Sequence, residues 1–259
     1  MDFKKHVKLG IMPGIVALTV ITMLFSGCGK DDEPVNVEEL LQNSLTGFEN
    51  SSDFDVVGNV QPYNSVYGTA GYNFTQGSDL PGCAEEPSSY IQVDSLGPIW
   101  QDGFSVAAFV QFTEPRFFER IIDFGNGPGD TGGLNVTMSR LRLSNDLAFT
   151  SWINSDSTLN RTQGRIVARE VIKDGVMMFV VGTISPSGVM TIYIDGVEIN
   201  KKVNGHPVMN VPRTHNFIGR SNWCLRDPDF KGKMDGLFIF NKELSKREAD
   251  ALYDYFLAQ

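Results

Sequence analysis

Residues 104–112, FSVAAFVQF, set Phe104, Val106, Ala108, Val110 and Phe112 on one side of an extended chain, because strand side chains alternate with a period of two. Comparable runs recur: YIQV at 90–93, ERIIDFG, GLNVTMS and DLAFTSW within 119–152, then HNFIGRS and GKMDGLFIFN. Gly, Asn, Asp and Pro separate them, as turns between short strands require. VMMFVVGTI and VMTIYIDGVEI, joined by Ser185–Gly188, read as a hairpin, and Asp195-Gly196 offers a second tight turn. The pattern predicts an all-β chain built as a two-sheet antiparallel sandwich. One helix is predicted, at the C-terminus. Ser245 and Glu248 have capping-box spacing, and Ala249, Leu252, Tyr253 and Phe256 fall on one stripe.

The first 27 residues read as a targeting signal. Lys4, Lys5 and Lys8 precede an apolar run from Leu9 to Phe25, and small residues follow. The run is 17 residues, short of the ~20 a spanning helix needs. Leu24-Phe25-Ser26-Gly27-Cys28 resembles a bacterial lipobox, which makes Cys28 the lipidated residue. GKDDEP after it resembles the acidic export tag of Bacteroidetes surface lipoproteins. The expected organisation is a signal peptide over 1–27, an acidic tether over 28–40 and one domain over 41–259, anchored by lipid at the outer membrane and exposed at the cell surface. The net charge of −9 argues against nucleic acid or anionic membrane surfaces as partners and is compatible with neutral sugars or cations. Cys83 and Cys224 remain as a pair that an exported protein could bridge or leave as free thiols.

The order of these motifs is similar to bacterial laminin G-like domains of the concanavalin A-like lectin/glucanase superfamily. Ile192-Tyr193-Ile194-Asp195-Gly196, Ile218-Gly219-Arg220-Ser221-Asn222-Trp223, Phe230, Gly232, Met234-Asp235, Leu244-Ser245 and Glu248 carry the resemblance. It implies a jelly-roll, with structural duty for Asp235, over about residues 41–259. It implies little about function, because one fold hosts many activities.

A glycoside hydrolase of this superfamily needs two carboxylates about 5–5.5 Å apart, or further for inversion. No E-x-D-x-E strand motif is present, and Pro228 splits Asp227 from Asp229. A non-catalytic, carbohydrate-binding role is therefore the leading expectation, with a protein–protein adhesion or envelope-assembly module second and a hydrolase third. Sugars are held by an aromatic plate and convergent polar groups. Trp223 with Asn222, Arg220, Arg226, Asp227 and Asp229 has that composition; Trp152 and Trp100 are further candidate plates. Calcium is the other ligand considered. Asp123, Asn126 and Asp130 supply oxygens within a glycine-rich loop, although such a composition also makes a plain turn.

Overall fold

The computed structural model describes residues 33–49, 51–75, 89–127, 134–154, 161–223 and 227–259. In chain order the elements begin with helix α1 (Val37–Gln42) and strands β1 (Thr46–Gly47), β2 (Phe54–Gly58), β3 (Val60–Asn64), β4 (Ala70–Phe74) and β5 (Ser89–Val93). Next come β6 (Phe104–Phe112), β7 (Arg120–Gly125), β8 (Val136–Arg140), β9 (Leu147–Asn154), β10 (Arg161–Ala168) and β11 (Met177–Ile184). The chain continues through β12 (Met190–Ile194), β13 (Val197–Lys202), β14 (His215–Ile218), β15 (Gly232–Phe240) and helix α2 (Lys246–Leu257). Two antiparallel sheets result. One runs β13-β12-β11-β6-β15-β4-β3, with β1 beside β15; the other runs β10-β9-β8-β7-β14-β5-β2.

Alternation along β6 decides the layering. Phe104, Val106, Ala108, Val110 and Phe112 enter the core between the sheets, against Ile122, Phe124, Met138 and Phe149 of the facing sheet. Ala107 and Phe109 point the other way, yet they are buried too. They meet Leu252 and Phe256 of α2 and Val37 and Leu40 of α1 in a second cluster. The molecule is thus three layers, helix on sheet on sheet. Phe109, Phe238 and Phe240 belong to the helical cluster, while Phe104 and Phe112 fill the inter-sheet core. Burial of each ring stabilises by about 2–3 kcal/mol on either side.

The turns follow their chemistry. Asp195 and Gly196 adopt φ of 50° and 78°, the left-handed pair that a two-residue hairpin turn demands. At Ser185–Gly188 the Gly188 N–H donates to the Ser185 carbonyl at 2.9 Å, and the Val189 N–H donates to Ser185 Oγ at 2.9 Å. In α2 the Ser245–Glu248 capping box is complete, Ala249, Leu252 and Phe256 are buried, and the Tyr253 ring stacks on Phe179. Asp235 is structural: Tyr63 and Thr69 donate their hydroxyls to its carboxylate beside a register shift in β15.

The N-terminal boundary needs correction. The compact unit begins at Val35, inside the expected 28–40 tether. Asn36 caps α1 through its side chain, and Val37 and Leu40 are buried. The apolar residues of VEELL fall one helical turn apart, so this short segment docks on the sheet instead of remaining solvated. Cys28, Cys83 and Cys224 lie outside the described residues.

Candidate functional site

From β7 to β10 the outer face of the seven-stranded sheet carries mostly polar residues, alternating with core residues that face inward. Pairing sets them in register: Arg165 opposite Thr150, Thr150 opposite Thr137, and Thr137 opposite Asp123. The next row places Ala148 opposite Ser139 and Ser139 opposite Arg120. Residues between these positions, Phe149, Met138 and Ile122, are core. The period of two therefore delivers a floor of small hydroxyls backed by hydrophobic packing.

Above this floor lies a hollow of about 250 Å³. Trp152 and Trp223 share one wall, their ring centroids 5.4 Å apart and tilted by 42°. Phe117 and Phe118 contribute from the segment before β7, and Arg120, Arg165 and Asp227 supply charge. The Arg120 guanidinium lies 5.7 Å from the Trp223 ring centre and 5.6 Å from that of Phe118, within cation–π range. Arg165 Nε donates to Thr150 Oγ1 at 3.3 Å. Burial first, and then the positive fields of Arg120 and Arg142, lower the Arg165 pKa from its usual value.

Trp223 is held in place by a buried polar network. Asp123, fully enclosed, accepts from Asn135 Nδ2 at 2.7 Å, the Asn222 backbone N–H at 2.9 Å and Asn222 Nδ2 at 3.0 Å. Asn222 Nδ2 also donates to the carbonyls of Asp123 and His215. Arg120 bridges two acids, with Nε 3.3 Å from Asp123 and Nη2 2.6 Å from Asp227. Ser221 Oγ donates to Asp227 at 3.0 Å and accepts from the Trp223 N–H at 3.0 Å. The start of this loop needs glycine: Gly219 has φ of 81°, and a Cβ there would sit 2.8 Å from the Phe74 ring.

These positions sort the predicted residues. The fold brings Trp152, Trp223 and Asp227 together in one hollow. Asn222 and Asp229 are corrected from ligand contacts to struts: both are buried, and Asp229 accepts from the Ser89 N–H at 3.1 Å. Arg220 lies over the Tyr90 ring at 4.1 Å, with Nε 3.6 Å from Asp229, outside the lining of the hollow. Trp100 is corrected from plate to core, packed against Phe104. Arg226 lies outside the described residues, as does Asp130.

The calcium expectation is also corrected at Asp123, whose carboxylate faces protein donors instead of the loop. Asn126 Oδ1 accepts from the Thr214 N–H at 3.2 Å. Among the described residues no three His, Cys, Asp or Glu side chains gather as metal ligands. Sequence reasoning missed Arg120, Arg165, Thr137, Ser139 and Thr150. Their signal was present, as Thr and Ser at the outward positions of otherwise apolar runs.

Two antiparallel sheets around a common core, with helices over one outer face and an aromatic hollow on the other, define a jelly-roll sandwich. The chain belongs to the concanavalin A-like lectin/glucanases superfamily, whose Laminin G 3 family model matches residues 85–250. Among solved structures, the binding domain of botulinum neurotoxin DC in complex with SialylT is similar at 18% identity and a TM-score of 0.54, covering 79% of this chain and 46% of that one. The same toxin domain in complex with rat synaptotagmin II gives 16% and 0.51, covering 79% and 47%. The binding domain of Paraclostridial Mosquitocidal Protein 1 gives 14% and 0.51, with the same coverage. The chain spans a little under half the length of these structures, and at such identities the likeness is one of fold. A search of curated proteins returned no match.

Proposed function

We propose that this protein is a non-catalytic lipoprotein, anchored through Cys28 at the outer cell surface, whose sandwich binds carbohydrate in the Trp152–Trp223 hollow. The observation that carries the reading is the indole pair set above the Thr137, Ser139 and Thr150 hydroxyls. Indole faces stack on the C–H face of a sugar ring, and hydroxyls and charged groups fix its polar edge. A volume of about 250 Å³ lies just below the usual ~300–1,000 Å³ of small-molecule sites. It suits one sugar unit better than a long stretch of polymer. The non-catalytic reading rests on the acids available: Asp123 is enclosed, and it shares one guanidinium with Asp227, so neither is poised as a general acid or base. Similar folds serve as binding domains in the proteins named above, which supports binding as the class of activity.

A glycan array probed with the purified protein tests the reading. Binding should be lost in Trp223→Ala and strongly reduced in Trp152→Ala, with melting temperatures retained. Failure to bind any sugar would remove it. The anchor has its own test: a clickable palmitate analogue should label the wild type and not Cys28→Ser. A second reading, protein adhesion, draws on exposed Val197, Ile199 and Val203 along the β13 edge; an array-negative protein that captures a protein receptor would favour it.

A further inference from the structure

A second hollow lies on the helical side of the molecule, between α1 and α2, and it holds about 440 Å³. That falls within the ~300–1,000 Å³ common to small-molecule sites. Phe238 of β15 and Phe256 of α2, both buried, form its base, their rings stacked at 5.7 Å and 12°. Tyr67, from the β3–β4 connection, and Tyr255, from α2, line it as well. The Tyr67 ring lies flat on Phe109 at 3.7 Å, and Tyr255 meets Phe256 edge to face at 5.5 Å. Gly47 keeps the base open, because a Cβ there would sit 3.0 Å from the Phe238 ring.

One charge faces this aromatic lining. It belongs to Glu49, and among the described residues no lysine or arginine lines the hollow. Glu49 Oε1 accepts from the Ala70 backbone N–H at 2.6 Å, a neutral donor that orients the carboxylate and leaves its charge in place. The nearby hydroxyls give their protons to the protein: Ser44 donates to the Leu41 carbonyl at 2.7 Å and Thr69 to the Asp235 carboxylate. The site thus sets four rings beside one oriented anion. Aromatic faces attract cations, and most of all those whose surface is apolar.

We infer that this second hollow binds a quaternary ammonium group on a short carbon chain, with Tyr67, Tyr255 and Phe238 against its methyls and Glu49 balancing its charge. A trimethylammonium has no N–H, so it asks for no acceptors and packs on rings through its methyl groups. A primary ammonium brings three donors, and Glu49 already has one oxygen engaged with Ala70. The volume leaves room for the chain that bears the cation. The inference is independent of the carbohydrate reading, which concerns the opposite sheet.

The test titrates choline into the full protein by calorimetry, beside its neutral isostere, in which a tert-butyl group replaces the trimethylammonium. Choline should bind at least about fivefold tighter than the isostere, about 1 kcal/mol, and tighter than ethanolamine. Glu49→Gln keeps an acceptor for Ala70 and should remove the preference for choline while leaving the isostere unchanged. Tyr255→Leu should weaken choline more than the isostere, and melting temperatures report that both variants stay folded. Phosphocholine separates two sources that would each support the site: affinity equal to that of choline assigns it to a lipid headgroup, and weaker affinity to a free cation. Equal binding of choline and the isostere, a preference that survives Glu49→Gln, tighter binding of ethanolamine, or no binding of choline would each overturn the inference. The carbohydrate reading would stand or fall separately, on Trp223→Ala.

Discussion

Asp123→Ala is the perturbation that most directly probes how the site is built. The carboxylate accepts from Asn135, from two nitrogens of Asn222 and from Arg120 at 2.7–3.3 Å, with no solvent access. Its removal leaves the Asn222 N–H and the Asn135 amide short of an acceptor and takes one anion from Arg120. Breaking a buried pair in this way costs about 3–5 kcal/mol. Against a total stability of about 5–15 kcal/mol, that is a large share. With a urea slope of about 3 kcal/mol per molar, the unfolding midpoint should fall by roughly 1–1.7 M. Asp123→Asn preserves an acceptor oxygen and leaves Arg120 its contact with Asp227, so its loss should be smaller, about 1–2 kcal/mol. Near-ultraviolet circular dichroism should register the same change below the transition, because the network seats Trp223 beside Trp152. A midpoint for Asp123→Ala within error of the parent would refute the claim that this carboxylate fastens the loop.

Other outcomes follow from single contacts. A Cβ on Gly182 would lie 2.4 Å from Met138 Cε and 3.0 Å from the Phe149 ring; Gly182→Ala should destabilise by about 1–3 kcal/mol, with Met138→Ala restoring part of it in a double-mutant cycle. Burial pushes the Glu119 carboxyl up to about 7, against the pull of Arg140 at 2.7 Å. The folded state then holds this proton more tightly than the unfolded one, so stability should decline as pH rises from about 4.5 to about 7, and Glu119→Gln should flatten that stretch of the urea-midpoint profile. Calcium at 100 times its Kd would stabilise by about 2.7 kcal/mol if a site existed. With Asp123 enclosed, that carboxylate is no ligand, so Asp123→Asn should leave any shift that calcium causes in the melting temperature unchanged.

What could be read in advance follows burial. Central strands such as β6, β11 and β15 announce themselves because both their faces are covered. β2, β3 and β10 gave weak signals because they are sheet edges. The outer positions of β2 and β3 meet solvent, and Pro62 lies in β3, as edges tolerate. Helix α1 escaped notice because six residues hold too few turns for periodicity to emerge from an acidic segment. At the site, Trp152 and Trp223 were legible as residue types, but their meeting was not. It depends on the segment after β14 being clamped at Asn222 by Asp123, a contact between positions 99 residues apart. Buried acids and solvated acids look alike in one dimension. For that reason Asp123 read as a metal ligand and Asn222 and Asp229 as sugar contacts.

The helical layer also orients the molecule. Because α1 lies on the eight-stranded sheet, the polypeptide enters the sandwich by the side opposite its indole-lined recess. Loss of α1 would uncover part of the cluster formed by Ala107, Phe109 and Phe238 on that face, while the residues lining the recess on the other face would keep their packing.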